Sequence, residues 1–176
     1  MPERTFTAVV HKEDDLFVAE CPEVGTASQV RVASVSDIPR LCGLLSLLFT
    51  QEADFHPDEV RQSEGLRQII ENPEAGSILV LSEGTIIIGM VNLLFTVSTA
   101  LGGRVAILED MVVDPIYRCN GAGATLLRSA VDVAKESGCL RITLLTDRTN
   151  DGAIRFYQRQ GFVLSNMIPF RLAMNP

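Results

Sequence analysis

The stretch Val112-Val113-Asp114-Pro115-Ile116-Tyr117-Arg118-Cys119-Asn120-Gly121-Ala122-Gly123-Ala124 joins an apolar strand to an amphipathic helix. Its second half follows the pattern Arg-x-x-Gly-x-Gly. Two glycines let the backbone approach a ligand closely, and a helix that begins there directs N–H groups and the positive end of its dipole at the same point. The stretch therefore predicts an anion site at a helix start, with a pyrophosphate as the ligand.

Composition narrows the classes of protein that the chain can belong to. The 176 residues are 47% hydrophobic, which suits one globular domain or one domain with a short appendage. The net charge of -7 argues against non-specific nucleic-acid binding, which needs a basic surface. The four cysteines lack metal spacing, two histidines make no histidine-rich metal site, and the first residues lack a secretory pattern. We expect a reduced, cytoplasmic protein without a bound metal.

One uncharged stretch, from Gly84 to Gly103, is long enough to raise the question of a membrane span. Glycines, Asn92 and several threonines and serines interrupt it, and its β-branched runs are typical of buried strands. We therefore expect a sheet interior and no membrane association.

The apolar periodicity and the turn residues predict a definite order of elements from Val30 onward. These are a strand Val30–Ala33, a helix capped by Ser36 or Asp37, a weaker helix Val60–Glu71, strands Ser77–Leu81, Thr85–Val97 and Arg104–Val113, a helix ending at Gly138, a strand Arg141–Thr146, a helix from Asn150 or Asp151 to Gln160, and a last hairpin of Phe162–Leu164 with Ile168–Leu172. This order predicts a mixed α/β sheet rather than a repeating βαβ array.

The residues before Val30 have a pattern of their own. Phe6–Val10 and Leu16–Cys21 flank a polar turn, which predicts a β-hairpin appendage over residues 1–29 beside a main domain of residues 30–176. An isolated hairpin is marginal in water, so we expect it to join the main sheet, pack on it or pair with a second subunit of a homodimer.

Two motifs resemble those of one family. Residues 109–123 resemble the central motif of the GNAT superfamily of acetyl-CoA-dependent N-acetyltransferases, and residues 150–162 are similar to a later helix with its tyrosine and terminal Gly-Phe. A Walker turn would need Gly-Lys-Ser or Gly-Lys-Thr, and a dinucleotide fingerprint a third glycine; neither is present. The resemblance implies an α/β (α+β) acyl-CoA N-acyltransferase fold, with a mostly antiparallel mixed sheet flanked by helices and a splayed strand pair.

The resemblance also implies how acetyl-CoA is held. The pyrophosphate would lie on the turn, with Arg118 as its side-chain cation, because Cys119 and Asn120 stand where relatives often carry glycine or a basic residue. Main-chain groups would supply most of the grip, and those of the strand would pair with the pantetheine arm and polarise the thioester carbonyl. The residues concerned are Met111, Val112, Val113, Arg118, Cys119, Asn120, Gly121, Ala122, Gly123 and Ala124 on the strand and turn, with Asn150 near the later helix start. Asn150 could equally be a helix cap.

Acetyl transfer to an amine requires a neutral nitrogen, so a base is expected near the acceptor. Glu109 and Asp110 are adjacent on a strand, and on a regular strand only one of them faces the cleft. The resemblance favours Glu109, with a solvated strand end or an ion pair as the alternative. Tyr157 matches the tyrosine that protonates the departing CoA thiolate, although its spacing also suits core packing.

The acceptor is expected to be a small-molecule or peptide amine. Acidic residues and one histidine lie between the first two helices, where the family builds its acceptor site, and could attract an amine or form a solvated loop: Glu52, Asp54, His56, Asp58 and Glu59.

Two alternatives stay open. Residues 6–29 resemble the opening of HicB-type antitoxins, which suggests a toxin-like relative acting on aminoacyl-tRNA, against the acidic charge. A non-catalytic acetyl-CoA-binding module is the other.

Overall fold

A computed structural model describes residues 9–13, 16–21, 26–50 and 56–174, with side chains from Ser28 onward. The chain divides into two compact units, residues 1–144 and 145–176, and each is described by itself. The strands are β1 (Val9–Glu13), β2 (Leu16–Cys21), β3 (Thr26–Val32), β4 (Gly76–Glu83), β5 (Ile86–Ser98), β6 (Gly103–Val113) and β7 (Ile142–Leu144). The α-helices are α1 (Ile38–Phe49), α2 (Glu59–Ile70), α3 (Ala122–Glu136) and α4 (Asp151–Arg159), with short 3-10 turns at Val35–Asp37 and Pro115–Tyr117.

The seven strands form one sheet in chain order, β1-β2-β3-β4-β5-β6-β7. Every neighbouring pair is antiparallel except β6 and β7, which run parallel. The fold is therefore the mixed, mostly antiparallel α/β arrangement that the sequence predicts. The parallel pairing covers only Ala106–Leu108 of β6, so Glu109–Val113 continue beyond the last paired residue of β7. The splaying of this pair that the resemblance implies stays a prediction.

Helices cover both faces of the central strands. Leu41, Leu44 and Leu45 form the buried face of α1 and pack with Val80 and Met90 of the sheet. On the other face, Leu126 of α3 lies within 3.5 Å of the position of a Cβ at Gly89, the residue before Met90. Successive residues of a strand face opposite sides, so α1 and α3 lie on opposite faces. The long uncharged stretch is β5, buried by both layers.

Gly89 shows how closely these layers pack. A Cβ at this position would stand 2.9 Å from the carbonyl oxygen of Val112, on the neighbouring strand. Only glycine lets β5 and the last residues of β6 approach this closely.

The first helix begins beside a partly buried ion pair. Arg31 of β3 makes two hydrogen bonds to the Asp37 carboxylate, at 2.7 and 2.8 Å, and the Ser34 N–H donates to the same carboxylate at 2.7 Å. The Arg31 guanidinium is the largest of the influences that lower the Asp37 pKa to about 2. Asp37 stands at the N-cap position of α1, but its carboxylate bonds to Ser34 and Arg31 and to no N–H of that helix, so it fastens the helix start to the sheet.

The N-terminal strands β1 and β2 are an antiparallel hairpin that continues the sheet through β3. The predicted first strand starts at Phe6, and its residues 6–8 lie outside the described residues, as does part of the predicted turn. The division into an appendage of residues 1–29 and a domain of residues 30–176 stays a prediction, and so does the antitoxin resemblance of the hairpin.

The predicted last hairpin, Phe162–Leu164 with Ile168–Leu172, is wrong, because residues 161–174 contain no strand. The Phe162 N–H donates to the Tyr157 carbonyl at 3.0 Å, so Phe162 completes the end of α4. The Met167 N–H donates to the Ser165 hydroxyl at 3.1 Å in a local turn, and Pro169 has no N–H to give to a ladder. Local turn bonds and proline therefore override the apolar pattern.

Candidate active site

Strand β6 carries one residue more than its partner β5 in the middle of their pairing. Met90 pairs with Val112 and Asn92 with Glu109, so Asp110 and Met111 together oppose the single residue between Met90 and Asn92. Asp110 adopts φ 50°, a left-handed conformation that few residues other than glycine take. This is a β-bulge, a device that bends a strand and redirects its side chains.

The bulge changes the relation between the two candidate acidic residues. Asn92 is the register partner of Glu109, yet its side-chain Nδ2 donates to Asp110 Oδ2 at 2.6 Å. The expectation that adjacent side chains face opposite sides assumes a regular strand, and the bulge removes that regularity. Glu109 is exposed, whereas Asp110 is half-buried beside a cavity.

That cavity, of about 610 Å³, lies between α1, α2 and the bulge. Its apolar wall is formed by Leu45, Phe49, Leu66 and Ile69. Its polar lining comes from His56, Asp58, Arg61, Gln62, Asn92 and Asp110. The cavity has the size and the mixture of apolar wall and few polar groups typical of a small-molecule site.

The start of α2 brings part of the acidic segment to this cavity. Asp58 caps the helix by accepting from the Arg61 N–H at 3.1 Å, and its carboxylate pairs with the Arg61 guanidinium at 3.2 Å. Glu52 and Asp54, which the sequence also places near the acceptor, lie outside the described residues. His56 and Asp58 line the cavity, and Glu59 is the first residue of α2.

Arg40 of α1 holds Asp114, the residue that follows β6. The Arg40 guanidinium donates from Nη2 to Asp114 Oδ2 at 2.9 Å and from Nε to the Ile87 carbonyl at 2.8 Å. The hydrogen bond from Arg40 is the first cause of a lowered Asp114 pKa. The ion pair therefore fixes the point where the strand turns toward α3.

The turn after Asp114 has the backbone that the glycine pattern predicts, with one difference. Gly121 has φ 82° and Cys119 has φ 69°, so two left-handed residues reverse the chain before α3. The Arg118 Nε donates to the Val113 carbonyl at 2.8 Å. Arg118 thus ties the turn to the end of β6, a structural bond that the sequence does not predict.

Helix α3 begins directly after Gly121, whose carbonyl accepts the Thr125 N–H at 3.0 Å. The N–H groups of Ala122, Gly123 and Ala124 precede the first residue that can bond within the helix, so they point out of its N-terminus. With 15 residues, α3 carries a full dipole toward this point. The structure thus brings the predicted strand residues Met111–Val113 and the predicted turn residues 118–124 together along one continuous path.

The other two predicted site residues belong to residues 145–176. The Asn150 side chain accepts from the Ala153 N–H at 3.0 Å, so it caps α4. Tyr157 packs edge-on against Phe156 and Phe162, with ring centroids 5.2 and 5.7 Å away. Burial raises the Tyr157 pKa, which keeps the phenol protonated.

Sequence reasoning missed Gln62 and Asn92, which line the cavity and are buried. Gln62 is four residues before Leu66 and seven before Ile69, so it lies on the apolar face of α2. Asn92 is the one amide in the apolar strand β5. A polar amide in the middle of an apolar pattern is the signal that could have found both.

Among the described residues, no three or more histidine, cysteine, aspartate and glutamate side chains form a group that could hold a metal. In the same part of the chain, no helix has the length and apolarity needed to cross a membrane.

Comparison with known proteins identifies the class. Residues 40–162 match the model of the acetyltransferase (GNAT) family, and the chain belongs to that family. It is 32% identical over 136 residues to the uncharacterized N-acetyltransferase YhfO of Bacillus subtilis, covering 76% of this chain and 88% of that protein. It is 32% identical over 77 residues to a glucosamine 6-phosphate N-acetyltransferase of Trypanosoma brucei brucei, covering 43% and 50% of the two chains.

A solved structure has the same fold. An integron cassette protein from the mobile metagenome of Cole Harbour Salt Marsh superimposes with a TM-score of 0.73 at 27% identity. The match covers 84% of this chain and 91% of that one.

Proposed function

We propose that this protein transfers an acetyl group from acetyl-CoA to a primary amine of a small molecule or peptide, by direct attack in a ternary complex. The observation that carries the proposal is the course of β6. This strand passes the cavity at its bulge and ends, four residues after Glu109, at the turn that leads into α3. An acceptor site and an anion site are thus joined by one strand.

The residues of the turn fit the pyrophosphate of acetyl-CoA. Gly121 takes a left-handed conformation with no atom within 4 Å of the position of a Cβ, so the backbone is open on this side. The N-terminus of α3 favours an anion, and Arg118 adds a positive charge beside it. Main-chain groups of Cys119, Asn120 and Gly121–Ala124 would make most of the contacts.

The pantetheine arm fits along the end of β6. Because β7 stops opposite Leu108, the edge of β6 from Glu109 to Val113 runs beyond the parallel pair. We assign the main-chain groups of Met111, Val112 and Val113 to this arm, and one N–H among them to the thioester oxygen, where negative charge grows during attack.

In the reaction, the amine nitrogen attacks the thioester carbonyl carbon, a C–N bond forms and the C–S bond breaks. An acceptor that arrives as an ammonium loses two protons: one before attack, and one after the C–N bond forms, which replaces the proton that Tyr157 gives to the CoA thiolate. We assign proton acceptance to Glu109 and proton donation to Tyr157, whose raised pKa keeps a proton available at neutral pH.

Asp110 has a separate part in this scheme. It lines the cavity and is held by the amide of Asn92. A carboxylate in that position pairs with the acceptor while it is still an ammonium, and the adjacent Glu109 then takes the proton. The two neighbouring acids thus divide binding and proton removal between them.

The test is release of free thiol from acetyl-CoA by the purified chain. Acceptors are polyamines, amino acids, aminoglycosides, peptides and charged tRNA, each offered over a range of pH. Turnover with small amines or peptides supports the proposal. Turnover with charged tRNA alone, or tight CoA binding by calorimetry without turnover of any acceptor, contradicts it.

A further inference from the structure

Gln62 on α2 is a buried side chain without a hydrogen-bond partner. Its exposed fraction is 8%, and neither Nε2 nor Oε1 is bonded to any residue that the structure describes. The same helix carries Gln68, which is exposed and donates to Glu64 at 3.0 Å. The two glutamines are six residues apart, and only Gln62 lines the cavity.

Such an arrangement is costly for the protein alone. Burying an amide without a partner removes its bonds to water and gives none in return, so nearly all buried polar groups in proteins are bonded. The neighbours of Gln62 on this face, Leu66 and Ile69, are apolar, and an apolar side chain of the same length would pack there. Gln62 therefore points to a hydrogen bond that the protein makes with something else.

The amide of Asn92, in the same cavity, also has a buried atom without a hydrogen-bond partner among the described residues. The Nδ2 of Asn92 is used by Asp110, but its Oδ1 is buried and unbonded within the described ranges. The exposed fraction of Asn92 is 2%. Three buried polar atoms, one donor and two acceptors, thus lie along the wall that ends at Asp110.

We propose that Gln62 determines acceptor specificity by binding an uncharged amide group that the acceptor carries close to its amine. This proposal rests on the proposed function. An amide donates to Oε1 of Gln62 and accepts from Nε2, so both atoms are paired by one group. Asp110 takes the amine, Asn92 Oδ1 accepts a further N–H, and the apolar part of the acceptor packs on Phe49 and Leu45.

The charge of the cavity disfavours an acidic acceptor. The Asp58 carboxylate and the Arg61 guanidinium offset each other, so the net negative charge of the described lining comes from Asp110. A phosphate or carboxylate beside the amine would be repelled by Asp110 and would have no N–H to donate to Gln62 Oε1 or Asn92 Oδ1. A carboxamide or a peptide group offers both a donor and an acceptor.

The experiment compares two acceptors in three proteins. Phenylalaninamide and 2-phenylethylamine share an amine and a ring, and only the first has an amide. Their ratio of kcat/KM is measured in the wild type, in Gln62→Met and in Gln68→Met as the matched control. We expect the ratio to fall about ten-fold in Gln62→Met and to stay at the wild-type value in Gln68→Met. The ratio between variants cancels the different basicity of the two amines.

Thermal unfolding gives a readout that does not depend on activity. Because Gln62 has no partner in the described chain, Gln62→Met should raise Tm by about 2 °C or more. A lower Tm in Gln62→Met than in Gln68→Met would reveal a bond to the protein itself and overturn the proposal. An unchanged substrate ratio with good turnover of both amines overturns the proposal alone, whereas no turnover of any amine by the wild type overturns the proposed function as well.

Discussion

The Nδ2 of Asn92 on β5 donates to Oδ2 of Asp110 at 2.6 Å, at the bulge in β6. This bond holds the Asp110 side chain at the edge of the cavity. The backbone of Asp110 has φ 50°, in the left-handed region. A charge-assisted bond of this kind is among the stronger hydrogen bonds in proteins. The position of Asp110 thus depends on a residue of the neighbouring strand.

Replacing Asp110 tests its part in acceptor binding. We expect Asp110→Asn to raise KM for amine acceptors about ten-fold or more, because an ammonium loses its carboxylate partner. The affinity for CoA, measured by calorimetry, should stay unchanged. For an amine without an amide group, Asn92→Ala should raise KM in the same direction by less, since Asp110 keeps its charge and loses only the hydrogen bond that supports it.

Asp132→Asn is the control for loss of one negative charge, because Asp132 pairs with Lys135 on the surface of α3. A KM for Asp110→Asn equal to that of Asp132→Asn would refute acceptor binding by Asp110.

The pH dependence of kcat tests the proposed role of Glu109 as the base. If Glu109 takes the proton from the amine, Glu109→Gln should lower kcat about 100-fold below the pKa of the amine and recover as the pH rises through it. The measurement is a pH profile of kcat with one amine. A profile of unchanged shape in Glu109→Gln would exclude the base role.

Arg118 joins the turn to β6 through its bond to the Val113 carbonyl, and we propose that its charge adds to the anion site. We expect Arg118→Ala to weaken CoA binding about ten-fold in calorimetry while the protein stays folded. Arg128→Ala, at an exposed position of the same helix α3, should leave the affinity at the wild-type value. Equal affinities for CoA in the two variants would remove Arg118 from the site.

Tyr157 packs between two phenylalanine rings, so Tyr157→Phe should keep the fold and the Tm of the wild type. If the phenol protonates the CoA thiolate, kcat should fall about ten-fold or more, with a smaller effect on KM. Measuring kcat and KM separately distinguishes a role in proton donation from a role in binding. Full activity in Tyr157→Phe would leave the side chain with a packing role only.

The ion pair of Arg31 and Asp37 predicts a dependence of stability on pH. The folded-state pKa of Asp37 is lowered to about 2 from 3.8, so its contribution is fully present above about pH 4 and is lost as the pH falls toward 2. Because Arg31 is partly exposed, we expect Asp37→Asn to cost about 1–2 kcal/mol at neutral pH. Urea unfolding of both proteins between pH 3 and 7 measures this difference, which should shrink at the acidic end. A constant difference over this range would contradict it.

Much of the fold follows from local patterns. The order of β3 to β7 and of α1 to α4, the face of α1 and the glycine turn are all visible in apolar spacing and cap residues. The last hairpin was predicted from alternation alone, and Pro169 with the Ser165 turn prevents it. Alternation reports which residues can be buried, but it does not report whether a partner strand is present.

Less of the candidate site than of the fold can be predicted from the sequence, for a different reason. The turn residues 118–124 are marked by glycine, whereas the cavity depends on Gln62, Asn92 and Asp110, which are far apart in sequence. Their meeting follows from the sheet register and from the bulge, and no local pattern encodes either one. A bulge is an extra residue, and its side chains look like those of any strand.

The bulge in β6 makes the site depend on the number of residues in a strand as well as on their kinds. Removing Asp110 or Met111 would leave three residues facing three, so Met90 could still pair with Val112 and Asn92 with Glu109. Such a one-residue deletion would close the ladder into a regular strand and preserve both flanking registers. A one-residue deletion would therefore remove the bulge that places Asp110 at the cavity, while the rest of the sheet keeps its pairing.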